Sequence, residues 1–330
     1  LVIDNQYPDY TLVDATCNYW GTTDPYDMAD AVSGDVQFLP YSTTADPMNC
    51  DGEGPVVNIT QDLSYMTIQA AIDEAVANDV IEVAAGTYTE QLHITIPNLT
   101  IQGAAGEDVT VKSPENLTHF YNSGSNDNYP VIFVDGADGT TLKNFTVDGD
   151  NQGDNNNRFQ GIAYWNAGGS MQDLSVVNIM DDPFSGSQHG VGVYSFNNTG
   201  SSYILDIDNV DVTQFQKNAF ALNGDNLTIT MGNCDVEGEG QTDVIAQNGI
   251  QIWGNGTTAT ITDCTIDGIW YTGEGWAASG FLNYYADVTL NNVDITNSDY
   301  SNYNYFGGTV NYTNCDVNNT YLGFYNKGGA

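Results

Sequence analysis

Basic residues are almost missing from this chain. Five Lys and Arg stand against 43 Asp and Glu, which gives a formal net charge of −38. A nucleic-acid partner is excluded on this ground, because contacts to phosphates need Lys and Arg. An acidic polysaccharide would also be repelled unless cations bridged it. The charge itself is typical of a protein that stays soluble in a salty or cation-rich exterior.

Long apolar runs are missing as well. No stretch approaches 18 consecutive apolar residues, so the sequence predicts no membrane span. What the chain does have is abundant Gly, Asn, Asp, Thr and Tyr, which favour strands and tight turns over helices. With 41% hydrophobic residues it can still build a core. We expect a secreted or cell-surface protein.

Asn-x-Thr sequons permit glycosylation on the surface, although a chain this rich in Asn and Thr gains about as many by chance. The candidate glycosylation sites are Asn58, Asn98, Asn116, Asn144, Asn197, Asn226, Asn255, Asn311 and Asn318.

Short alternating apolar segments recur along the chain, each followed by Gly, Asn or Asp. Examples are TLKNFTVDGD from Thr141, LTITMGNCDV from Leu227 and VTLNNVDIT from Val288, and the spacings run from about 22 to 33 residues. Alternation with period two indicates strands. Several short strands per repeat, with no helical crossovers between them, predict the coils of a solenoid.

One amphipathic helix is predicted within residues 64–78. In TIQAAIDEAVAN, the residues Ile68, Ala71, Ile72, Ala75 and Val76 form one apolar stripe, and Ser64 is the expected N-cap. Stacked coils leave unpaired strand edges at their ends, and such a helix can cover one of them. We therefore expect it to cap the N-terminal end.

Two segments resemble a known family. YMTIQAAIDEAVANDVIEVAAGTYTEQLHI, followed by NLTIQG, resembles the N-terminal cap and first coil of right-handed parallel β-helix proteins of the pectate-lyase-like superfamily. VDATCNYWGTTDP, from Val13 to Pro25, is similar to a segment that often closes such domains. The resemblance implies an all-β, right-handed parallel β-helix with a short N-terminal capping helix. Lyases, esterases, glycosidases, adhesins and surface-layer components share this fold, so the resemblance leaves the activity open.

The order of these two segments is the basis of the leading functional prediction. The closing segment precedes the opening one, and the C-terminal residues continue naturally into Leu1. We therefore expect residues 1–50 to complete the open C-terminal coils of a neighbouring unit, while residues 51–330 form the β-helix. The chain would be a separate subunit of an extracellular filament, sheath or surface layer, or an excised repeat of a longer protein. The expected interface comprises Val2, Leu12, Val13, Tyr19, Trp20, Val317, Leu322, Phe324 and Tyr325.

A secreted polysaccharide-active enzyme is the main alternative. Esterases of the family need two Asp and an Arg, and the only Arg here, Arg158, has no matching motif. Glycosidases need clustered carboxylates. The best local set is Asp181, Asp182 and His189, although Asp-Asp-Pro is first of all a turn sequence. Lyases need a Lys or Arg, and the four lysines are scattered through the coils: Lys112, Lys143, Lys217 and Lys327.

Two acidic features are candidate cation sites. Asp148, Asp150 and Asp154 have the spacing of the first half of a Ca²⁺ loop, but Phe159 stands where such a loop needs Glu. A polar turn is the other interpretation. In addition, aligning the repeats places Asp211, Asp235, Asp294 and Asp316 in one outward column, where bound cations or solvent would screen their repulsion.

Cysteines and aromatic residues complete the prediction. Cys234, Cys264 and Cys315 share an inward position, whereas Cys17 and Cys50 could form a disulfide in an oxidising exterior. Aromatic residues are concentrated in the C-terminal third, where core and lateral packing compete with a role in binding glycans. A glycan-binding adhesin is therefore a third hypothesis.

Overall fold

A computed structural model describes residues 3–4, 13–34, 36–44, 52–118, 121–123 and 126–327. Within these ranges the chain is nearly all β, and the only helices are α1, Pro25–Ala29, and α2, Ile68–Asp73, with a single 3₁₀ turn at Gln152–Asn155. No helix in these ranges has the length and apolarity that crossing a membrane requires.

The strands follow one another along the chain with short connections. Before the main solenoid come β1 (Ile3–Asp4), β2 (Val13–Asp14), β3 (Val32–Ser33), β4 (Val36–Gln37), β5 (Val56–Asn58) and β6 (Leu63–Tyr65). Then come β7 (Val80–Val83), β8 (Gly86–Thr89), β9 (Leu92–Ile94), β10 (Thr100–Gly103), β11 (Val109–Lys112), β12 (Tyr121–Ser123), β13 (Asn126–Asp135), β14 (Thr140–Asp148), β15 (Phe159–Trp165), β16 (Gly169–Val177) and β17 (Val191–Phe196). The last are β18 (Tyr203–Thr213), β19 (Asn218–Asn223), β20 (Leu227–Gly232), β21 (Asp235–Thr242), β22 (Asn248–Trp253), β23 (Thr258–Thr262), β24 (Thr265–Tyr271), β25 (Ser279–Tyr284), β26 (Asp287–Asn291), β27 (Asp294–Tyr305), β28 (Val310–Thr313) and β29 (Val317–Lys327).

Parallel pairing between successive coils produces three long faces. The first face is β7, β10, β14, β16, β18, β20, β23, β26 and β28. The second face is β8, β11, β14, β16, β18, β21, β24, β27 and β29. The third face is β9, β13, β15, β17, β19, β22, β25, β27 and β29. The fold is therefore the right-handed parallel β-helix that the sequence predicts.

The alternation of side chains separates the core from the surface. Ile162, Val193, Phe220, Ile250 and Phe281 are paired in register on the third face, and all five are fully buried. The residues that follow them on the same strands, among them Tyr194 and Gln251, lie outside this core, because successive residues of a strand face opposite sides. One continuous apolar core consequently runs along the axis of the solenoid.

Asparagine and aspartate form the corner between the first and second faces. Seven successive coils place a residue with a φ of 51–60° there, namely Asn144, Asp173, Asn209, Asn233, Asp263, Asn292 and Asn314. Asn and Asp tolerate the left-handed region because their short side chains bond locally. Stacked corners also bond to each other, as when Asn209 Nδ2 donates to Asp173 Oδ1 over 2.6 Å. This explains much of the Asn and Asp content.

The capping helix exists but is shorter than predicted. Thr67 rather than Ser64 is the N-cap, and its side chain accepts a hydrogen bond from the Ala70 amide. The helix ends at Asp73 because the buried Asp79 carboxylate accepts the Val76 amide and draws the chain into a turn. Val76 is 59% exposed, so it does not belong to the buried apolar face that the sequence predicted for it.

The described part of the N-terminal segment packs against its own chain. Trp20, Met28 and Phe38 lie in a small separate apolar cluster, and Met66, next to the capping helix, packs on it. Tyr41 pairs with Gly52 through two backbone hydrogen bonds. Cys17 is disulfide-bonded. Its predicted partner Cys50 lies outside the described residues, as do Val2 and Leu12, so the Cys17–Cys50 pairing stays a prediction.

Candidate functional site

A long cleft runs across the C-terminal half of the third face. Its volume is about 1050 Å³. Strands β22, β25, β27 and β29 contribute lining residues, and so do Lys217, directly before β19, and the loop around Trp276. The lining side chains include Lys217, Asn248, Gln251, Tyr271, Trp276, Ser279, Tyr284, Tyr300, Tyr303, Tyr305, Tyr325 and Lys327.

Strand register brings these distant residues together. One outward column pairs Asn218, Asn248, Ser279 and Tyr300 on successive strands. A second column contains Gln251, Leu282, Tyr303 and Tyr325, and a third contains Trp253, Tyr284, Tyr305 and Lys327. Neighbouring strands are about 4.8 Å apart. The ring centroids of stacked neighbours are 5.0 Å apart for Tyr303 and Tyr325 and 5.2 Å apart for Tyr284 and Tyr305.

The charge of the cleft is opposite to that of the whole chain. Lys217 and Lys327 line it, so two of the five basic residues lie here. None of the 43 acidic residues is among the lining side chains of the described chain. An anionic ligand in the cleft would therefore not contact the carboxylates that cover the rest of the chain.

Lys217 is the most unusual group in the cleft. It stands directly before β19, where its amide donates to Gly190 O over 2.9 Å and its carbonyl accepts the Asn248 amide over 2.9 Å. Its ammonium donates to the backbone oxygen of Ala246 in the next coil. Burial lowers the pKa of Lys217 to about 8, because the charged form loses hydration. A substantial neutral fraction is therefore present near that pH, and a neutral amine can accept a proton.

Polar side chains next to Lys217 are available to a ligand. Ser279 is 1% exposed and lines the cleft, yet its hydroxyl makes no hydrogen bond within the described residues. Asn248, in register with Ser279, lines the cleft as well. A buried hydroxyl without a partner costs free energy. A bound polar molecule would remove that cost.

Two tyrosines with raised pKa values also line the cleft. Burial raises the pKa of Tyr303 to about 12 and also raises the pKa of Tyr300. Their rings lie 5.8 Å apart between centroids, and Tyr325 packs edge-on against both. Both hydroxyls stay protonated over the pH range in which Lys217 loses its proton.

The predicted catalytic set is only partly assembled. His189 Nε2 lies 2.5 Å from Asp181 Oδ1, and both residues are buried. Burial acts to raise the pKa of Asp181, but hydrogen bonds from Ser185, His189 and Gln216 outweigh it and lower the pKa. Asp182 is exposed and turns away, with its amide donating to Asp154. The network holds Gln216, the residue before Lys217, and none of the predicted set lines the cleft.

The predicted calcium loop does not bring its carboxylates together. Asp150 pairs with Lys112 over 2.9 Å, and Asp148 accepts hydrogen bonds from the Asp150 amide and Asn178. Asp154 accepts the Asp182 amide. Among the described residues, no three His, Cys, Asp or Glu side chains meet around a common point suited to a metal ion.

The predicted columns are visible in the strand register. Ser175, Asp211, Asp235, Thr265 and Asp294 follow one another on the second face. Burial and the neighbouring Asp235 raise the pKa of Asp211. The Thr265 hydroxyl donates to Asp235 and separates it from Asp294. Asp316 follows Asp294 in the column, because the next residue of each strand, Ile295 and Val317, are paired with each other.

The inward column of cysteines runs beside this one. Cys234 and Cys264 are buried, Cys315 is partly buried, and all three are free thiols.

Two candidate glycosylation sites are corrected by the structure. The side-chain amides of Asn58 and Asn197 are buried and donate hydrogen bonds, Asn58 to Asp79 and Asn197 to two backbone oxygens. Neither can carry a glycan in the folded chain. Exposed or partly exposed are Asn98, Asn116, Asn144, Asn226, Asn255, Asn311 and Asn318.

The described residues of the predicted interface lie at the two ends of the solenoid. Trp20 is buried in the N-terminal cluster, and Tyr19 beside it is 45% exposed. At the C-terminal end, Phe324 is 61% exposed and Tyr325 lines the cleft. Val13, Val317 and Leu322 are partly buried.

Sequence reasoning missed the cleft because its members are spread over the whole C-terminal half. Lys217 and Lys327 lie at its opposite ends, separated by four strand steps from β19 to β29. Aligning the repeats on the outward position of the third face, as was done for the second, would have found the aromatic column.

Comparisons with known proteins found similar solved structures at low sequence identity. No family model and no curated protein matches this sequence. A solved pectin methylesterase in complex with a hexasaccharide is 14% identical, with 72% of this chain and 77% of that chain covered and a TM-score of 0.43. The Yersinia enterocolitica pectin methylesterase is 10% identical, with 77% and 90% covered and a TM-score of 0.37. The A-module of the Azotobacter vinelandii mannuronan C-5 epimerase AlgE4 is 12% identical, with 80% and 95% covered and a TM-score of 0.35.

The prediction of a head-to-tail structural protein is wrong. The described N-terminal residues bury their apolar side chains within their own chain, through Trp20, Met28, Phe38 and Met66. The segment therefore does not need a neighbouring subunit to cover these side chains.

Proposed function

We propose that the chain is a secreted enzyme that cleaves an acidic polysaccharide by β-elimination in the cleft of the third face. The observation that carries this proposal is Lys217, an amine with a pKa of about 8 at the wall of a cleft lined by aromatic rings. Aromatic rings offer flat apolar faces to the C–H groups of sugar rings, and polar side chains around them fix orientation.

The chemistry needs one base and one acid. In a 4-linked hexuronate, the neutral Lys217 amine removes the proton on C5, next to the carboxylate. The electrons of that C–H bond form the C4=C5 double bond as the C4–O4 bond breaks. A tyrosine hydroxyl of the cleft lining, for which Tyr300 and Tyr303 are the candidates, protonates the departing oxygen. The proton on Lys217 then returns to the tyrosine through solvent, and general acid–base catalysis is complete.

The sugar carboxylate needs partners while negative charge builds on it. Asn248, whose amide donates to the Lys217 carbonyl, and Ser279, in register with Asn248, line the cleft and can donate hydrogen bonds to this carboxylate. Preorganised donors of this kind stabilise developing charge. At the other end of the cleft, Lys327 lies over the Tyr305 ring, 5.4 Å from its centroid. It can pair with a carboxylate of another sugar in the same polymer.

The lining favours elimination over hydrolysis. Glycosidases use two carboxyl groups on either side of the scissile bond. The lining side chains of the described cleft include no Asp or Glu, whereas they include Lys217 and several tyrosines. The disulfide at Cys17 supports a location in an oxidising, extracellular compartment.

The proposal is tested by incubating the purified protein with polygalacturonate, polymannuronate and polyguluronate. Ultraviolet absorbance of the new double bond reports cleavage. Wild type should produce it on at least one polymer, and Lys217→Met should lower kcat by about 100-fold or more. Lys143→Met, on the first face, is the matched control and should keep full activity. Absence of the double bond with every polymer, or full activity of Lys217→Met, contradicts the proposal.

A further inference from the structure

An aromatic shelf lies directly beside the cleft. It comprises Trp253, Tyr285 and Phe306, whose side chains are 44%, 39% and 50% exposed. They border a shallow depression of about 380 Å³ together with Gln251 and Tyr284. Gln251 and Tyr284 also line the cleft, so the two concave surfaces are continuous.

The shelf presents its rings in an ordered way. Tyr285 and Phe306 stack with centroids 6.1 Å apart and an interplanar angle of 11°. Trp253 meets Tyr284 edge-on at 6.3 Å. No charged side chain borders the depression among the described residues. Three exposed rings in one patch are costly in water, so a ligand that covers them is favoured.

The backbone of the shelf carries a second and independent observation. Tyr285 and Phe306 have φ values of 66° and 61°, in the left-handed region where bulky residues are strained. They occupy one corner of the coil, just after the outward column of the third face. At the same corner other coils have Gly136, Asn166 and Gly224 with positive φ, and Asn197 and Gly254 without it.

Gly and Asn adopt this conformation readily, so the corner does not need an aromatic residue for folding. Strain of this kind persists where another requirement favours the residue. In the two coils that carry Tyr285 and Phe306, an aromatic residue thus replaces the Gly or Asn that would adopt this φ without strain. Both residues place a flat ring on the surface.

We propose that the aromatic shelf binds the continuation of the polysaccharide chain that occupies the cleft, through the faces of its pyranose rings. This inference rests on the proposed function for the identity of the ligand. The absence of charge on the shelf means that it contacts the apolar C–H faces of the sugars. It would therefore add affinity for long polymers and leave the cleavage of short oligosaccharides unchanged.

The test uses Tyr285→Asn with Phe306→Asn, which removes both rings and supplies a residue suited to a left-handed φ. Affinity electrophoresis in gels that contain polygalacturonate, polymannuronate, polyguluronate or a neutral xylan measures binding, and combining each variant with Lys217→Met prevents turnover in the gel. The double variant should bind about tenfold more weakly than wild type in any gel that retards wild type. Its Tm should equal or exceed that of wild type. Trp253→Leu, at the strand position beside them, should weaken binding about fivefold.

Matched variants separate this inference from the proposed lyase activity. Tyr19→Asn, an exposed aromatic in the N-terminal segment, should bind like wild type. Lys217→Met should remain retarded while losing turnover. If no polymer is cleaved but the double variant loses the retardation seen for wild type, the result supports polysaccharide binding by the shelf and contradicts the lyase proposal. Retardation that is unchanged in the double variant, or a wild type that no gel retards, overturns the shelf.

Discussion

Single residues already show where folding and function compete. Lys217 lies directly before β19, and burial of its ammonium group destabilises the charged form. Ser279 keeps a buried hydroxyl without a partner. Both groups cost stability in the free protein, and both face the same cleft. Such costs are typical of sites shaped for a ligand.

Replacing Lys217 by Met should stabilise the protein while removing activity. The folded pKa of about 8 lies below the ordinary value of 10.5, so the unfolded chain binds the proton more tightly. The Lys217 contribution to unfolding free energy therefore increases as pH rises from about 8 to about 10.5. At pH 7, Lys217→Met should gain roughly 1–3 kcal/mol in urea unfolding. A Lys217→Met variant less stable than wild type at pH 7 would contradict the inference that burial of the Lys217 ammonium destabilises the fold.

The activity of wild type should follow the same titration. A base must be neutral to accept a proton, so kcat/KM should rise with pH through about 8 and then level off. Initial rates between pH 6 and 10 measure this directly. Lys217→Arg should stay inactive throughout, because the guanidinium does not lose its proton in this range. A rate that falls over this range would exclude Lys217 as the base.

The buried Asp181 should stabilise the fold above its own low pKa. Its folded pKa lies below the ordinary value of 3.8, so its contribution is present above that value and is lost as pH falls through the folded pKa. Asp181→Asn should cost roughly 1–3 kcal/mol at pH 7 and much less in strong acid. Urea unfolding at the two pH values provides the comparison. Asp182→Asn, whose carboxylate is exposed, serves as the control and should change little.

At the scale of elements, the corners of the coil determine how the strands stack. Asn and Asp occupy the left-handed positions between the first and second faces, and they bond across coils. The sequence predicted the strands from their alternation. It did not predict the corners as a ladder, because the αL conformation depends on where two strands meet.

Asn292 offers a direct test of the corner. With φ at 55°, Asn292→Ala should lose roughly 1–2 kcal/mol of unfolding free energy, because Cβ is strained in this region. Asn292→Gly should lose less, since Gly has no Cβ. Asn291→Ala, at the end of strand β26, should stay within about 0.5 kcal/mol of wild type. Equal losses for Asn292→Ala and Asn292→Gly would mean that the loss of unfolding free energy comes from the side-chain hydrogen bond to Asp263 and not from strain in φ.

For the whole molecule, the dominant property is its charge. A formal charge of −38 on one compact solenoid produces self-repulsion that salt screens. We expect Tm to rise steadily as NaCl increases from low to high concentration. Scanning fluorimetry over that range tests this, with sucrose at matched osmolality as the control for exclusion effects. A Tm that falls with salt would indicate that specific ion pairs outweigh the net repulsion.

The N-terminal segment shows how far a linear pattern can mislead. In sequence, a closing motif placed before an opening one suggested that another subunit must receive it. In the structure, Trp20, Met28 and Phe38 form their own cluster and Met66 packs on it. The described segment lies on the same end of the solenoid as the capping helix. Order along the chain does not fix the direction in which a segment folds back.

The sequence by itself determined the solenoid. Period-two alternation, the turn residues and the helix before the first coil are local properties, and local preferences are sufficient to define strands and their inward faces. Only the tertiary structure decided the site. The cleft and the shelf depend on how many residues each coil contains and thus on which outward residues come into register. That register joins Asn218, the neighbour of Lys217, to Ser279 and to Tyr300 of a later coil, because stacking neighbours are separated by one strand spacing in space but by a whole coil in sequence.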